Sequence, residues 1–281
     1  MKITYLGTTV LLFDDGRDQI LFDCHSTRPS IRRFLFSKLA TDTAVADRVI
    51  AQFGFKRLRA TFASHSHYDH VLDLPYYVNR CGGDVYGSPS ALNVARGGGV
   101  SEERLHDFTL QTEVQIGAFH IRTIPSKHSR AHFYNDDLGR TIDQPLRQPA
   151  HKKKFKEGGS FDFIVTHGEK TYLIRPSCNY MDGQLDGVKA DVLFLGVSGL
   201  SKESAAWQRT FFSETIGKTQ PKLVIPLHWD KFFSPLYGPV RGLPRAFEDT
   251  GMSMHLLASY CAEQKVDCVV QLPLTTLTLF G

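Results

Sequence analysis

The sequence predicts an α/β fold in which two sheets pack face to face, with helices on their outer sides. Segments with the alternating apolar pattern of strands open the chain, and strand-rich segments begin again near residue 161. Segments with a helical spacing of apolar residues follow the strands in each half. We therefore expect a single domain over residues 1–281, with an irregular insertion at about residues 129–159.

The first half of the chain is predicted to alternate strands with helices. Residues 3–23 form strands joined by the turn-forming run Asp14-Asp15-Gly16. A helix is predicted over residues 41–53, where Val45 and Val49 recur at helical spacing, and Gly54 marks its end. The other predicted elements are a strand at 60–63, a helix at 89–95 and strands at 114–116 and 119–124.

The second half is predicted to follow the same style. Its final helix is expected to begin at Pro244, because proline suits the first turn of a helix. The other predicted elements are strands at 161–166, 171–175, 191–195 and 222–226, a helix near 203–216 and closing strands near Val269 and Leu277.

Composition narrows the class of protein. The chain is 42% hydrophobic and 22% charged, as in ordinary globular domains, and it has no apolar run of about 18 residues that would cross a bilayer. Its start leads into a strand pattern and lacks the apolar region of a signal peptide, so we expect a cytoplasmic protein without a membrane partner. The five cysteines are scattered and form no CxxC pair. A net charge of +4 is too mild to indicate nucleic acid, so a small-molecule substrate is the expected partner.

Histidine and aspartate are concentrated in the run His65-Ser66-His67-Tyr68-Asp69-His70. The run lies between the strand predicted at 60–63 and a helix-like stretch, a position where α/β proteins commonly bind ligands. His65 and His67 are two residues apart, so on an extended backbone their rings project to the same side. Imidazole and carboxylate groups are the ligands of Zn²⁺ and related cations. The run therefore predicts a metal site.

This run resembles the HxHxDH signature of the metallo-β-lactamase superfamily. The opening segment 1–7 and the run Ile20-Leu21-Phe22-Asp23 are similar to the first hairpin of that family. The resemblance implies a four-layer αββα sandwich with a Zn²⁺-type centre, in which one or two ions bind and Mn or Fe can replace zinc. By the same similarity, one ion is held by His65, His67 and His128, and the other by Asp69, His70 and His228.

One segment departs from the family pattern. The family usually places a metal-bridging aspartate after a central strand, whereas the strand predicted at 171–175 leads here into Pro176-Ser177-Cys178-Asn179. A direct register puts Ser177 in that place, and a slip of one residue presents Cys178, whose thiolate is a good zinc ligand. We therefore expect the second metal site to be the weaker one, with Cys178 closer to a ligand than Ser177. A single-metal enzyme with Asp69 as proton acceptor is the alternative.

The resemblance implies a metal-dependent hydrolase with Asp69 and His70 as catalytic residues. A metal-activated water would attack an ester, lactone, phosphoester or related bond. One alternative is an iron-dependent oxygenase or redox enzyme on the same fold. Flavodiiron-like relatives tend to carry glutamate where this chain has His67, whereas a persulfide-dioxygenase-like iron site uses a similar ligand set. Another is a non-catalytic binding protein with a degraded site.

Further polar residues lie near the predicted ligands in the sequence. Tyr68, His132 and Asp230 are candidate proton donors because they lie near ligands in sequence, but sequence assigns none of them a role. His25 follows an early strand and can reach the site. Surface or structural roles are expected for the isolated histidines His106, His120, His167 and His255.

The insertion is strongly basic. Between Lys127 and Lys156 the chain carries eight lysines and arginines, including Arg140 and Arg147, against three aspartates. Such a segment predicts a lid over the site that attracts an anionic substrate. A solvated surface loop is the alternative.

Overall fold

The computed structural model describes residues 1–130 and 136–280. Within these residues the strands are β1 (Lys2–Gly7), β2 (Val10–Asp14), β3 (Gln19–Phe22), β4 (Lys38–Leu39), β5 (Leu58–Phe62), β6 (Asp84–Gly87), β7 (Leu105–Asp107), β8 (Glu113–Ile116), β9 (Phe119–Ser126), β10 (Ala150–His151), β11 (Ser160–His167), β12 (Lys170–Arg175), β13 (Val192–Gly196), β14 (Leu223–Leu227), β15 (Asp267–Cys268) and β16 (Thr275–Thr278). The α-helices are α1 (Ile31–Phe36), α2 (Thr43–Phe53), α3 (Tyr68–Val71), α4 (Leu74–Cys81), α5 (Pro89–Gly97), α6 (Ala205–Phe212) and α7 (Thr250–Gln264).

The strands form two seven-stranded sheets. The first has the order β16-β1-β2-β3-β5-β6-β7 and the second β15-β14-β13-β12-β11-β9-β8. In each sheet, the strands of one half pair antiparallel and those of the other half pair parallel. The parallel strands are β3-β5-β6-β7 in the first sheet and β12-β13-β14-β15 in the second. The carboxyl ends of parallel strands meet at one edge of a sheet, so the loops after these strands lie together.

The two sheets pack face to face through aromatic side chains. Phe13 lies 5.9 Å from Phe194 between ring centroids, and Phe22 lies 5.1 Å from Phe163, each pair joining one sheet to the other. Leu12 alternates with Phe13 along β2 and faces away, into a second apolar cluster with α2, α4 and α5. Helices α6 and α7 pack on the second sheet. The predicted αββα sandwich is confirmed.

Of the predicted helices, α2 is found where the sequence predicts it, whereas the final helix begins later than predicted. Helix α2 begins at the N-cap Asp42 and ends at Gly54, whose φ of 63° is left-handed, as its sequence predicts. The prediction that the final helix begins at Pro244 is wrong. The carbonyl of Pro244 closes only a turn, by accepting from the amides of Phe247 and Glu248. Helix α7 starts after Asp249, whose carboxylate accepts from the amide of Met252.

The basic insertion is packed against the site. Among the described residues of the insertion, Ala150 and His151 form β10, which pairs with β4, and Phe155 is buried. The carbonyl of Glu157 accepts a hydrogen bond from the amide of Ser66 within the histidine-rich run. Elsewhere the described part of the insertion is largely irregular. The candidate proton donor His132 lies outside the described residues.

Among the described helices, none combines the length and apolar character needed to cross a membrane.

Candidate metal centre

The histidine-rich run connects a buried strand to a short helix. Strand β5 ends at Phe62, and after two further residues the chain reaches His65. His67 is the N-cap of α3, whose single turn carries Tyr68, Asp69 and His70. Because the chain changes direction here, side chains only a few residues apart face two neighbouring positions.

The first group of potential ligands combines the turn with the end of β9. One nitrogen from each of His65, His67 and His128 lies within 4.8 Å of the other two. The rings are 4.7 to 4.9 Å apart between centroids and nearly perpendicular. His65 and His67 are buried, and His128 is half-buried. Three imidazole nitrogens therefore converge on one point.

Hydrogen bonds define which nitrogen of each ring carries the proton. His128 Nδ1 lies 2.9 Å from the carbonyl of Ser129, which can only accept, so Nδ1 donates. His67 Nε2 lies 3.2 Å from the Asp137 carboxylate and donates to it. The remaining nitrogens, His67 Nδ1 and His128 Nε2, lie 3.2 Å apart, and both carry lone pairs when the two rings are neutral. His65 Nε2 is buried with no hydrogen-bond partner in the described part of the chain. A divalent cation satisfies all three nitrogens, so these residues fit a metal.

The second group lies beside the first. Asp69 Oδ2 is 3.3 Å from His228 Nε2 and 3.6 Å from His70 Nε2. The rings of His65 and His70 are only 3.7 Å apart between centroids. His228 follows β14 with a left-handed φ of 57°, and its amide donates to the carbonyl of Thr8. The six residues predicted to bind two ions are therefore brought together as the two predicted sets. Their assignment as ligands stays a prediction.

Asp23 supports this second group, and sequence reasoning assigned it no role. Its Oδ2 accepts from His70 Nδ1 at 2.8 Å and from the hydroxyls of Thr9 and Ser64. With its Nδ1 proton held there, His70 presents Nε2 to Asp69 and His228. A signal was present, because Asp23 directly follows a buried strand at the same sheet edge as the histidine-rich run.

Asp137 plays the corresponding part for His67. It lies in the basic insertion and is buried, and its carboxylate faces His67 Nε2. Burial opposes ionisation, but the bond to His67 and the charge of Lys156 lower the pKa of Asp137 below its ordinary value. The insertion thus contributes a positioning residue to the first group.

Electrostatics keep His65, His128 and Asp69 in the protonation state that a metal requires. Burial, reinforced by the neighbouring histidines, lowers the pKa of His128 to about 3 and that of His65 well below its ordinary value. Burial raises the pKa of Asp69, but the charges of His70 and His228 outweigh it and lower that pKa far below normal. These low pKa values leave His65 and His128 neutral and Asp69 ionised at neutral pH.

Cys178 joins neither group among the described residues. Both Ser177 and Cys178 line the cavity in which the groups lie. Burial, with the nearby Glu248 and Glu203, raises the pKa of the Cys178 thiol well above its ordinary value. The structure therefore gives the predicted Cys178 ligand no contact with the other ligands.

Several described histidines belong to neither group. Buried His25 places Nδ1 3.3 Å from the Thr8 hydroxyl and does not line the described cavity. Near the surface, His106, His120 and His167 place Nε2 within 3.3 Å of the carboxylates of Asp84, Glu113 and Asp15.

The sandwich fold and the paired sets of histidine and aspartate define a protein of the metallo-β-lactamase type. The chain belongs to the beta-lactamase superfamily, because residues 19–229 match the model of the beta-lactamase superfamily domain. That match begins at β3 and extends past His228, so it includes both groups. The predicted family is confirmed. No curated protein sequence matches the chain.

Solved structures share this fold at low sequence identity. The chain resembles isothiocyanate hydrolase from Delia radicum gut bacteria, with a TM-score of 0.60, 13% identity and 99% of each chain covered. It resembles CmlA, a diiron β-hydroxylase from Streptomyces venezuelae, with a TM-score of 0.60 and 14% identity over 99% of this chain and 54% of that one. It also resembles the short form of human tRNase Z, with a TM-score of 0.55, 13% identity and 99% of each chain covered. The fold is thus shared among proteins named for different reactions.

Replacing Asp23 by asparagine is expected to weaken metal binding at the second group about 10- to 100-fold. An amide no longer holds the Nδ1 proton of His70 as an anion does, so His70 Nε2 becomes a poorer ligand. A zinc titration against a competing chelator measures the change. Asp186→Asn is the matched control, since the Asp186 side chain is 69% exposed and pairs only with Lys218 among the described contacts. Unchanged affinity in Asp23→Asn would show that Asp23 does not tune this ligand.

Proposed function

We propose that the protein is a metal-dependent hydrolase whose two ligand groups hold one or two divalent cations, with zinc as the first choice. One observation carries this proposal. His67 Nδ1 and His128 Nε2 face each other at 3.2 Å while their other nitrogens donate to Asp137 and Ser129. When both rings are neutral, these two nitrogens carry lone pairs that repel each other, and a cation bound by both relieves that repulsion. The arrangement is therefore one that a bound metal stabilises.

In this proposal one ion is held by His65, His67 and His128, and the other by Asp69, His70 and His228. A bound divalent cation supplies a Lewis acid and lowers the pKa of a water to about 7, which suits hydrolysis at neutral pH. The substrates we infer are esters, lactones, phosphoesters or related small molecules.

The chain's own residues orient this chemistry. Asp23 and Asp137 fix the tautomers of His70 and His67, and ionised Asp69 serves as a ligand or accepts a proton. Tyr68 lines the cavity, and burial together with the Asp69 charge keeps the pKa of its phenol well above normal. Tyr68 therefore stays protonated at neutral pH, and its hydroxyl can donate a hydrogen bond to the leaving group.

Asp230 is a poor candidate for the same task. It forms a buried salt bridge with Arg28 at 2.7 Å and accepts hydrogen bonds from Tyr5 and the amide of Thr8. These hydrogen bonds position Thr8. The carbonyl of Thr8 in turn accepts a hydrogen bond from the amide of His228. Of the candidate proton donors within the described residues, Tyr68 fits best.

Metal analysis combined with a substrate screen tests the proposed function. The purified protein is analysed for zinc, manganese and iron, and each metal-loaded form is assayed on esters, lactones, phosphodiesters and β-lactams. We expect hydrolysis of one class that EDTA abolishes and added metal restores. Oxygen consumption by an iron form would instead identify the redox alternative, and cleavage of RNA alone would contradict the expectation that nucleic acid is not a partner.

Zinc titration of the metal-free protein is expected to show two unequal affinities, at least about tenfold apart. Asp69 is the only carboxylate in the six-residue set, so a second divalent ion adds charge that no further anionic ligand compensates. Calorimetry gives both dissociation constants. Cys178→Ala then tests whether the Cys178 thiolate is a ligand. If it is, the substitution should weaken zinc binding at the second site and leave the first site unchanged. Two equal, tight sites would refute the inequality.

A further inference from the structure

The cavity above the metal centre has an aromatic wall. Its volume is about 260 Å³, and Phe34, Phe232 and Phe233 line it beside the ligand groups. Phe232 lies 5.2 Å from His228 and 4.5 Å from Phe233 between ring centroids, and Phe233 lies 5.1 Å from Phe34. The wall thus runs without a break from a candidate ligand toward α1, and it offers an apolar or aromatic group a surface to pack on.

Lysines from the insertion meet the end of this wall. Lys152, Lys153 and Lys156 line the same cavity. The pairing of β10 with β4 places the lysine run beside α1, and Lys152 Nζ lies 3.7 Å from the centroid of the Phe34 ring. A cation above a ring is a modest attraction that leaves its remaining ammonium protons free for an anion. Apolar and cationic surfaces therefore adjoin at Lys152 and Phe34.

The charges around this point favour an anion. Residues 144–156 contain Arg147 and four lysines without an acidic residue, and residues 24–41 contain Arg32, Arg33 and Lys38 besides Arg28, whose charge Asp230 compensates. Two aspartates of the insertion also line the cavity, but Asp137 is paired with His67, and Asp136 is exposed. Of the eight basic residues on which the predicted attraction of an anionic substrate depends, Lys152, Lys153 and Lys156 line the cavity within the described residues, whereas Arg140 and Arg147 do not.

We propose that the cavity selects an amphiphilic anion, a small molecule that carries an acidic group beside an aromatic or alkyl body, and that Lys152 and Phe34 determine this specificity. The apolar body packs on the phenylalanine wall, and the acidic group binds the lysines at its end. This inference rests on the proposed function only in taking the cavity above the metal centre as the substrate site.

A binding experiment on the metal-loaded protein separates charge from apolar contact. Calorimetry compares naphthalene-2-sulfonate, the neutral methyl 2-naphthyl sulfone and methanesulfonate, because a sulfonate is a weak metal ligand. We expect naphthalene-2-sulfonate to bind at least about tenfold more tightly than either other probe. Lys152→Gln should weaken naphthalene-2-sulfonate about fivefold and leave the sulfone unchanged. Phe34→Leu should weaken both naphthyl probes.

Lys56→Gln is the matched control, because Lys56 is exposed and precedes β5, at the opposite end of that strand from His65. It should change no affinity. Equal binding of sulfonate and sulfone, or equal effects of Lys152→Gln and Lys56→Gln, would overturn the inference. If the probes bind as expected but the protein hydrolyses no substrate, the inference stands and the proposed hydrolysis is contradicted. Hydrolysis of neutral esters without preference for the sulfonate would remove the inference alone.

Discussion

Replacing His65 and His67 together by alanine is expected to remove bound metal and to lower hydrolase activity by on the order of a thousandfold or more, since a catalytic metal contributes several kcal/mol to the transition state. Two of the three nitrogens that converge in the first group are lost, and His128 alone cannot compete with water for the cation. The fold should persist, because both residues lie on the turn after β5, outside the sheets. Metal content by elemental analysis and kcat/KM are the readouts.

The matched control is His255→Ala, since His255 is exposed on α7 and belongs to neither ligand group. It should retain full metal content and activity. Full metal retention in the double variant would contradict the site assignment, whereas unfolding of the double variant, seen by circular dichroism, would be resolved by the single variant His67→Ala.

Acidification from pH 7 to pH 5 is expected to destabilise the metal-free protein by about 3 kcal/mol or more. Burial lowers the pKa of both His25 and His128 to about 3, so these rings stay neutral when folded but take up protons near pH 6.5 when unfolded. Each therefore costs about 2 kcal/mol at pH 5. His65, whose pKa is also lowered, adds to this loss.

Two buried carboxyls among the described residues, Asp73 and Asp162, act in the opposite direction because burial raises the pKa of each. Burial raises the pKa of Asp162 to about 6, although Arg175 pairs with it at 2.9 Å. The folded protein then binds this proton more readily than the unfolded chain, which returns about 1 kcal/mol at pH 5. Urea unfolding in EDTA at several pH values measures the net slope. His25→Gln should remove about 2 kcal/mol of the dependence, and a slope unchanged by that substitution would show that His25 titrates normally.

Much of the fold follows from local pattern. The alternation of Leu12 and Phe13 between two apolar clusters, and the caps Asp42 and Gly54 of α2, are signals that a single sequence carries. Helix α7 was placed too early because Pro244 suits a first turn, yet Asp249 supplies the N-cap that starts the helix. Helix α1 was not predicted, because its six residues are too few to show a period.

The candidate site shows the same division. The run from His65 to His70 could be predicted as a metal site because its members are adjacent in the sequence. His128 and His228 could be predicted as ligands only through the family resemblance. Asp23 and Asp137 act only through contacts across the fold, with His70 and His67, and spacing along the chain does not report such contacts. Cys178 was weighed from register alone, and the structure places it on the cavity wall apart from both groups.

A crystal of the metal-loaded protein, measured at the absorption edge of the bound metal, tests the central claim most directly. Anomalous scattering locates the ions and identifies the element at once. The proposal predicts one strong peak between the rings of His65, His67 and His128, and a second, weaker peak among Asp69, His70 and His228. Peaks only at surface histidines such as His106 and His120, or no peak after incubation with zinc, manganese and iron, would contradict it.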